Sequence, residues 1–317
     1  MYIQDTYRRV KNDIEQRRQN ARATAEERNL ALRAKYPEIQ QIDEELTKTG
    51  LRLFRAAANR EDIDAIRRRN LQLNGRRREI LVSLGYPEDY TEVHYTCPLC
   101  ADTGYQGIRM CSCFREALIL ENIRESGIGH LIDKQTFDNF DLLWYKKNKG
   151  DAAYEQMQTL VRFAKAYAEG FGRSSGNLLF MGPTGAGKTH LCTAIASVVI
   201  RRGFGVLYDT AQSIIAAFET DRFKNGYSNE PSLSDKYLEC DLLIIDDLGT
   251  EFQTAFALSC LYNLINTRQN HGLSTIISTN LSYSALTQRY EDRIYSRIIG
   301  SDYDVWVFAE GDHRLDV

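Results

Sequence analysis

The sequence predicts an α/β protein, a parallel sheet flanked by helices, preceded by an α-helical N-terminal arm and a small metal-binding module. Three observations carry that prediction. Residues 5–35 contain neither Gly nor Pro, so they read as uninterrupted helix. The stretch "CPLCADTGYQGIRMCSC" places four cysteines within residues 97–113, a spacing suited to a metal staple. From about residue 151 onward, short apolar runs alternate with helical patterns, as strands joined by crossover helices do.

The bulk composition sets limits. At 317 residues with 43% apolar content, the chain suits two domains with at least one sizeable core. A net charge of −3 excludes a globally basic nucleic-acid binder. The average hides an asymmetry, since residues 1–95 carry 19 Lys and Arg against 16 Asp and Glu, and the remainder 21 against 27. Contact with nucleic acid must therefore come from a local patch. No apolar run approaches the roughly 18 residues of a membrane span, and the charged N-terminus lacks a signal-peptide core. The expected location is cytoplasmic, where stable disulfides are rare. Cys192, Cys240 and Cys260 sit singly in apolar surroundings and read as small buried hydrophobes.

Residues 1–90 read as a helical hairpin or coiled coil. Tyr7, Val10, Ile14, Ala21 and Ala25 stripe a first helix, and Pro37 suits the start of a second. That second helix is striped by Ile39, Ile42, Leu46, Leu53 and Phe54 despite Gly50. Asn59, with Asp62 three residues on, is placed to cap a third helix bearing Ile63, Ile66 and Leu73, and Gly85 is placed to end it. The stripes are thin, which suggests a docking arm with spare surface. The runs Arg67–Arg69 and Arg76–Arg78 read as a solvated face.

Residues 91–133 read as the metal module and a linker helix. Cys97-x₂-Cys100, then ten residues, then Cys111-x-Cys113 offers four soft ligands on two tight turns, a set that tetrahedral Zn²⁺ takes at about 2.3 Å per sulfur. Gly104 and Gly107 let the connection loop back. With every position filled by protein, the site is expected to be structural. An iron–sulfur cluster, a redox pair and free thiols are the alternatives, and Asp102 or His94 could replace one cysteine.

Residues 134–317 carry the chemistry. "NLLFMG", "GVLYDTAQ", "CDLLIIDDLG" and "LSTIISTN" read as strands separated by helices. Gly182, Pro183, Thr184, Gly185, Ala186, Gly187, Lys188 and Thr189 complete the pattern G-x-x-x-x-G-K-[ST] between a strand and a helix. Backbone N–H groups there would cradle phosphates, Lys188 would reach the β- and γ-phosphates, and Thr189 would ligate Mg²⁺. Asp246 and Asp247 end an apolar strand, where Asp246 would hold Mg²⁺ and Asp247 the attacking water. Adjacent carboxylates on a continuing strand point to opposite sides, so Asp247 is expected where the strand breaks. Asn280 ends the next strand and could meet the γ-phosphate. Arg289, Arg293 and Arg297 recur at four-residue steps, either as a salt-bridged surface or as charge offered to a neighbouring subunit.

In wording and order, "GPTGAGKTHLCTAIA", "GVLYDTAQSII", "DLLIIDDLGTE", "TIISTN" and "DRIYSRI" resemble the AAA+ ATPases, and among them the DnaC/DnaI-type replicative helicase loaders and the related IstB transposition helpers. The cysteine segment is similar to that of Gram-positive and phage loaders, so the resemblance covers about residues 85–317. It implies an ATPase that is slow alone and depends on subunit assembly. It also implies an arm and zinc module that dock on a hexameric replicative DNA helicase. By the same resemblance Asn280 takes the sensor-I position, and Arg293 and Arg297 lie on the box VII helix, with Arg297 the preferred arginine finger. Arg314 would take the sensor-II role, with no lid domain expected after it. Phe218, Arg222 and Lys224 would grip single-stranded DNA by stacking and phosphate contact. The competing readings are an IstB-like transposition helper and a nucleotide-gated DNA-binding adaptor with little turnover.

Overall fold

The computed structural model describes residues 4–59, 63–223, 233–309 and 311. The chain divides into two compact units, Lys11–Phe114 and Met1–Val10 with Arg115–Val317. No helix among the described residues is long and apolar enough to cross a membrane.

The smaller unit is built from three helices and the cysteine segment. Helix α1 (Gln4–Lys35) belongs to it from Lys11 onward, and α2 (Pro37–Asn59) begins at the expected proline. Helix α3 (Asp64–Ser83) follows, but Asn59 does not cap it: Asn59 is the last residue of α2, and the position before α3 is Ile63, which offers no side-chain cap, while Asp62 lies outside the described residues. Leu32, Ile39, Ile42, Leu73, Ile80 and Leu81 form the core, with Tyr36, Leu46, Tyr86 and Tyr90 packed against it. Gly85, at φ +82°, ends α3 as expected, and the Tyr86 N–H returns to the Leu81 carbonyl at 2.9 Å.

The arginine runs do not form a uniform solvated face. Arg77 is drawn inside, where its guanidinium donates to Asp43 Oδ1 at 2.7 Å, Thr91 Oγ1 at 2.8 Å and Asn29 Oδ1 at 2.7 Å. Arg33 donates to the other Asp43 oxygen at 2.8 Å, so one buried carboxylate joins all three helices. A carboxylate at a core-facing position of α2 needs a cation, and α3 presents Arg77 one turn from Leu73 and Leu81. Arg76 and Arg69 instead make exposed pairs with Glu38 and Glu45.

The cysteine segment folds around a two-stranded hairpin, β1 (Tyr105–Gln106) and β2 (Arg109–Met110). The next helix, α4 (Ser112–Glu125), carries the last cysteine in its first turn. The four sulfurs lie within 4.8 Å of one another, with Cys97 and Cys111 3.8 Å apart and Cys100 and Cys113 3.5 Å apart. A tetrahedron with bonds of about 2.3 Å has edges of about 3.8 Å, so the donor set fits Zn²⁺. Neither alternative ligand joins the set. Asp102 accepts the N–H groups of Thr96 and Cys97, each at 2.8 Å, and so braces the first turn. His94 contacts Asp89 instead. Gly104 is required at φ +77°, with Phe114 3.1 Å from where a Cβ would stand. Burial opposes ionisation of Cys100, yet the Gly104 N–H and neighbouring thiols bring it down to about 7, while burial pushes Cys113 up.

The larger unit holds helices α5 (Leu142–Lys149) and α6 (Asp151–Gly170), then β3 (Asn177–Met181), α7 (Lys188–Arg201) and β4 (Val206–Thr210). It continues through α8 (Ala211–Phe223), the short α9 (Asp235–Glu239), β5 (Leu242–Leu248), α10 (Ala255–Asn270), β6 (Ser274–Thr279), α11 (Tyr283–Ile299) and β7 (Tyr303–Val307). The sheet has the order β4-β5-β6-β3-β7 and is parallel throughout. Alternate strand residues feed two cores. Leu178, Phe180, Leu242, Ile244 and Ile276 face α6 and α7, whereas Leu179, Leu243, Ile245 and Ile277 face α8, α10 and α11. Strand β7 is absent from the sequence reading. It lies on an edge, and of Tyr303-Asp-Val-Trp-Val307 only Tyr303 is buried while Asp304 and Val307 are exposed, which gives a weak apolar signal.

Two outcomes follow for the smaller unit. Replacing Arg77 with Ala leaves Asp43 buried beside one cation and should cost about 3 kcal/mol, read as faster amide exchange across α2 and α3. Metal analysis of purified protein should give about one Zn per chain, falling toward zero in Cys111→Ser. Zinc near zero in the unsubstituted protein would refute the assignment.

Candidate functional site

Strands β3, β5 and β6 are neighbours in the sheet, so the loops leaving their C-terminal ends meet at one edge. That is where open parallel sheets bind ligands. After β3 the chain turns at Gly182, where a Cβ would stand 2.8 Å from that of Phe308. It enters α7 through Gly187, at φ +83°, where a Cβ would meet the Phe140 ring at 2.8 Å. Neither position has room for a side chain, and the left-handed φ of Gly187 aims the first amides of α7 into the loop.

Lys188 lies almost buried beneath this loop. Its ammonium donates to the carbonyls of Gly182 and Pro183, each at 2.8 Å, and to Asn280 Oδ1 at 2.5 Å. Asn280 also donates to Asp247 Oδ1 at 3.4 Å. Thr189 Oγ1 donates to Asp246 Oδ2 at 3.1 Å. The same carboxylate accepts from the hydroxyls of Tyr208 and Ser278. Burial and the adjacent Asp246 push the Tyr208 phenol well above its ordinary value, so it stays a donor. A hydroxyl beside a nine-tenths-buried carboxylate at the mouth of a phosphate loop is the donor set a hard divalent cation takes, and Thr189 with Asp246 therefore fits Mg²⁺.

Asp247 does not lie where the strand breaks. Strand β5 runs on to Leu248, and the two carboxylates part because of a bulge. Ile245 pairs with Ile277 and Leu248 with Thr279, so three steps on β5 match two on β6. The extra residue puts Asp247 at φ +53°, with its N–H on Ser278 Oγ at 3.0 Å. Both carboxylates thus reach the same edge, Asp246 inward and Asp247 toward the cavity.

The cavity encloses about 380 Å³. Thr184, Lys188, Thr189, Asp247 and Asn280 line one end, and Gln135, Asn139, Phe140, Tyr145 and His190 the other. The second wall is missing from the sequence reading, which took residues 134–145 only as the approach to a domain. Phe140 lies parallel to Tyr145 with centroids 6.1 Å apart and meets His190 edge-on at 5.1 Å. The Tyr145 hydroxyl donates to the Ala186 carbonyl at 2.7 Å, so the wall is fastened to the loop itself. Asp141 fixes the local fold by accepting the Trp144 N–H at 3.0 Å, which caps α5. Four aromatics within residues 137–145, just upstream of a phosphate loop, were the available signal.

The arginines of α11 have three different surroundings. Arg289 pairs with the buried Glu251 at 3.2 Å, which also accepts from Tyr290 at 2.5 Å and from the Gly249 N–H at 2.8 Å. Arg297 donates to Asn266 Oδ1 at 2.9 Å and Tyr262 at 3.0 Å, and lies over the Tyr262 ring. Arg293 is exposed. Arg314 and Lys224 fall outside the described residues. Phe218 packs against the core beneath α8, and Arg222 lies over the Phe256 ring at 5.1 Å. The freely exposed aromatic of α8 is Phe223, at 75%.

DnaC of Escherichia coli K12, a replicative helicase loader, is 28% identical over 188 residues, which is 59% of this chain and 71% of that protein. YdaV of the same strain, an uncharacterised protein, is 28% identical over 184 residues, 58% of this chain and 69% of that one. A crystal structure of the DnaC helicase loader aligns with 56% of this chain and 98% of its own, at 20% identity and a TM-score of 0.47. The family profile described as IstB-like ATP binding protein matches residues 130–299. That match spans the aromatic wall, the phosphate loop, both carboxylates, Asn280 and all of α11, and takes in more than half of the chain, which therefore belongs to the IstB-like ATP-binding protein family.

Proposed function

We propose that this protein is an ATP-dependent loader of a replicative DNA helicase. The observation that carries the reading is the convergence of Lys188, Thr189, Asp247 and Asn280 on one cavity with an aromatic far wall, with Asp246 bonded to Thr189 just behind it. Family membership and the likeness to DnaC support it.

In this reading the aromatic wall takes the adenine and the loop takes the phosphates. Lys188 exchanges its carbonyl contacts for phosphate oxygens, and Asn280, bonded to both Lys188 and Asp247, senses the γ-phosphate end. Thr189 and Asp246 would hold Mg²⁺, which when bound offsets negative charge on the β- and γ-phosphates. Asp247, turned by its bulge, orients the attacking water. The smaller unit, held by Zn²⁺, docks on the hexameric helicase. Helix α8, through Arg222 and Phe223, contacts single-stranded DNA. Subunits assemble so that α11 of one completes the site of the next. Exposure makes Arg293 the better donor in trans, with Arg297 bracing α11 on α10.

A second reading has its own observation. Arg289 and Arg297 are both held within the chain, as in an adaptor that binds ATP with little turnover. ATP hydrolysis with single-stranded DNA, measured for the unsubstituted protein, Arg293→Ala and Arg297→Ala, separates the two. The loader reading expects Arg293→Ala to lose turnover by about 10³-fold, in the range of an arginine finger, with nucleotide affinity kept. Background turnover in all three proteins would sink the enzyme reading. In the same assay series, Lys188→Ala should abolish retention of a fluorescent ATP analogue. Capture of a hexameric helicase by the full chain, and its loss in Cys111→Ser, tests the docking assignment.

A further inference from the structure

Tyr208 lies in the stretch "GVLYDTAQSII", where the sequence gives it no part in the nucleotide site, yet it touches the centre of that site. It lies on β4, beside β5, and its hydroxyl donates to Asp246 Oδ2, the oxygen that also accepts from Thr189. A carboxylate oxygen accepts two such bonds comfortably, so Oδ2 is filled from both sides. Oδ1 has Ser278 as one donor and keeps capacity for a water or a cation. A rotation of the Asp246 side chain would have to break bonds to three elements at once.

The backbone of Tyr208 is held just as firmly. Its N–H donates to the Ser126 carbonyl at 2.8 Å, in the turn that ends α4. Next in sequence, Gly127 takes φ +82°, and a Cβ there would stand 2.4 Å from the Tyr208 carbonyl oxygen. Only glycine allows this approach. Asn122, on the last turn of α4, donates to the Phe204 carbonyl at 2.6 Å, just before β4. The turn after α4 therefore lies against the edge of β4, and Tyr208 joins it to Asp246.

We propose that Tyr208 is a positioning residue that sets Asp246 for Mg²⁺, and that the Ser126–Gly127 turn is the route by which the chain before the ATPase fold adjusts that setting. The inference rests on the nucleotide-site reading. It predicts that displacement of α4 by a docked partner changes the Mg²⁺ requirement of nucleotide binding while leaving the phosphate loop intact.

The test is a Mg²⁺ titration of a fluorescent ATP analogue bound to the full-length protein, with its affinity also measured in EDTA. In Tyr208→Phe the ring and its packing remain, and the Mg²⁺ midpoint should rise by about tenfold, the equivalent of one hydrogen bond to a charged group. Affinity in EDTA should stay within about twofold, since the loop amides and Lys188 are untouched. Gly127→Ala keeps the hydroxyl but pushes on the β4 backbone, and should raise the midpoint in the same direction. A Tyr208→Phe titration that superimposes on the unsubstituted one overturns the positioning role. So does equal loss of affinity with and without Mg²⁺, which marks a merely structural residue. An unchanged midpoint in Gly127→Ala overturns the route through the turn. If the unsubstituted protein shows no Mg²⁺-dependent tightening at all, it is the nucleotide-site reading that fails.

Discussion

Asp246 is a carboxylate at 5% exposure, and taking such a charge out of water is costly unless its lone pairs are met. The means of meeting them organises this half of the molecule. Hydroxyls rather than cations surround it: Thr189 from the first turn of α7, Tyr208 from β4 and Ser278 from β6. For three such groups to reach one point, β5 must lie between β4 and β6, and the loop from β3 must open at the same edge. The order β4-β5-β6-β3-β7 satisfies both conditions. A neutral polar shell also leaves the carboxylate with its full charge for a metal, where a salt bridge would have spent it.

Much of this was legible in the residues. The phosphate loop announces itself by glycine spacing, the carboxylate strand by four apolar residues before two acids, and the cysteines by their pairing. What escaped reading was set by partners distant in the chain. Strand β7 has too few buried positions for its pattern to stand out. Arg77 looked like one more surface charge because its partner Asp43 lies 34 residues away. The bulge at Asp247 cannot be inferred from β5 alone, since it is a mismatch against β6. The aromatic wall escaped for another reason: it has no fixed spacing, and its contact with the loop runs through a backbone carbonyl.

The two units solve the problem of stability differently. Alternate residues of the five-stranded sheet fill two extensive cores. The smaller unit has a modest apolar core of six buried residues and supplements it with two polar devices, the Asp43 cluster and the thiol set. Both are directional, and both fix one arrangement among several that a thin hydrophobic stripe would tolerate. The smaller unit can then keep exposed apolar side chains, such as Ile108 at 98% exposure, without its own fold depending on their burial.

The Asp43 cluster has a consequence for how the arm can be inherited or trimmed. Its members come from α1 (Asn29, Arg33), α2 (Asp43), α3 (Arg77) and the segment beyond (Thr91). No cut at a helix boundary leaves it whole. Removing α1 strands Arg77 and Asp43 with part of their shell gone, and stopping after α2 leaves the acid with a single half-exposed base. The arm is thus indivisible: recombination could pass it between proteins only as a block reaching from α1 to beyond Thr91, close to where the metal module begins.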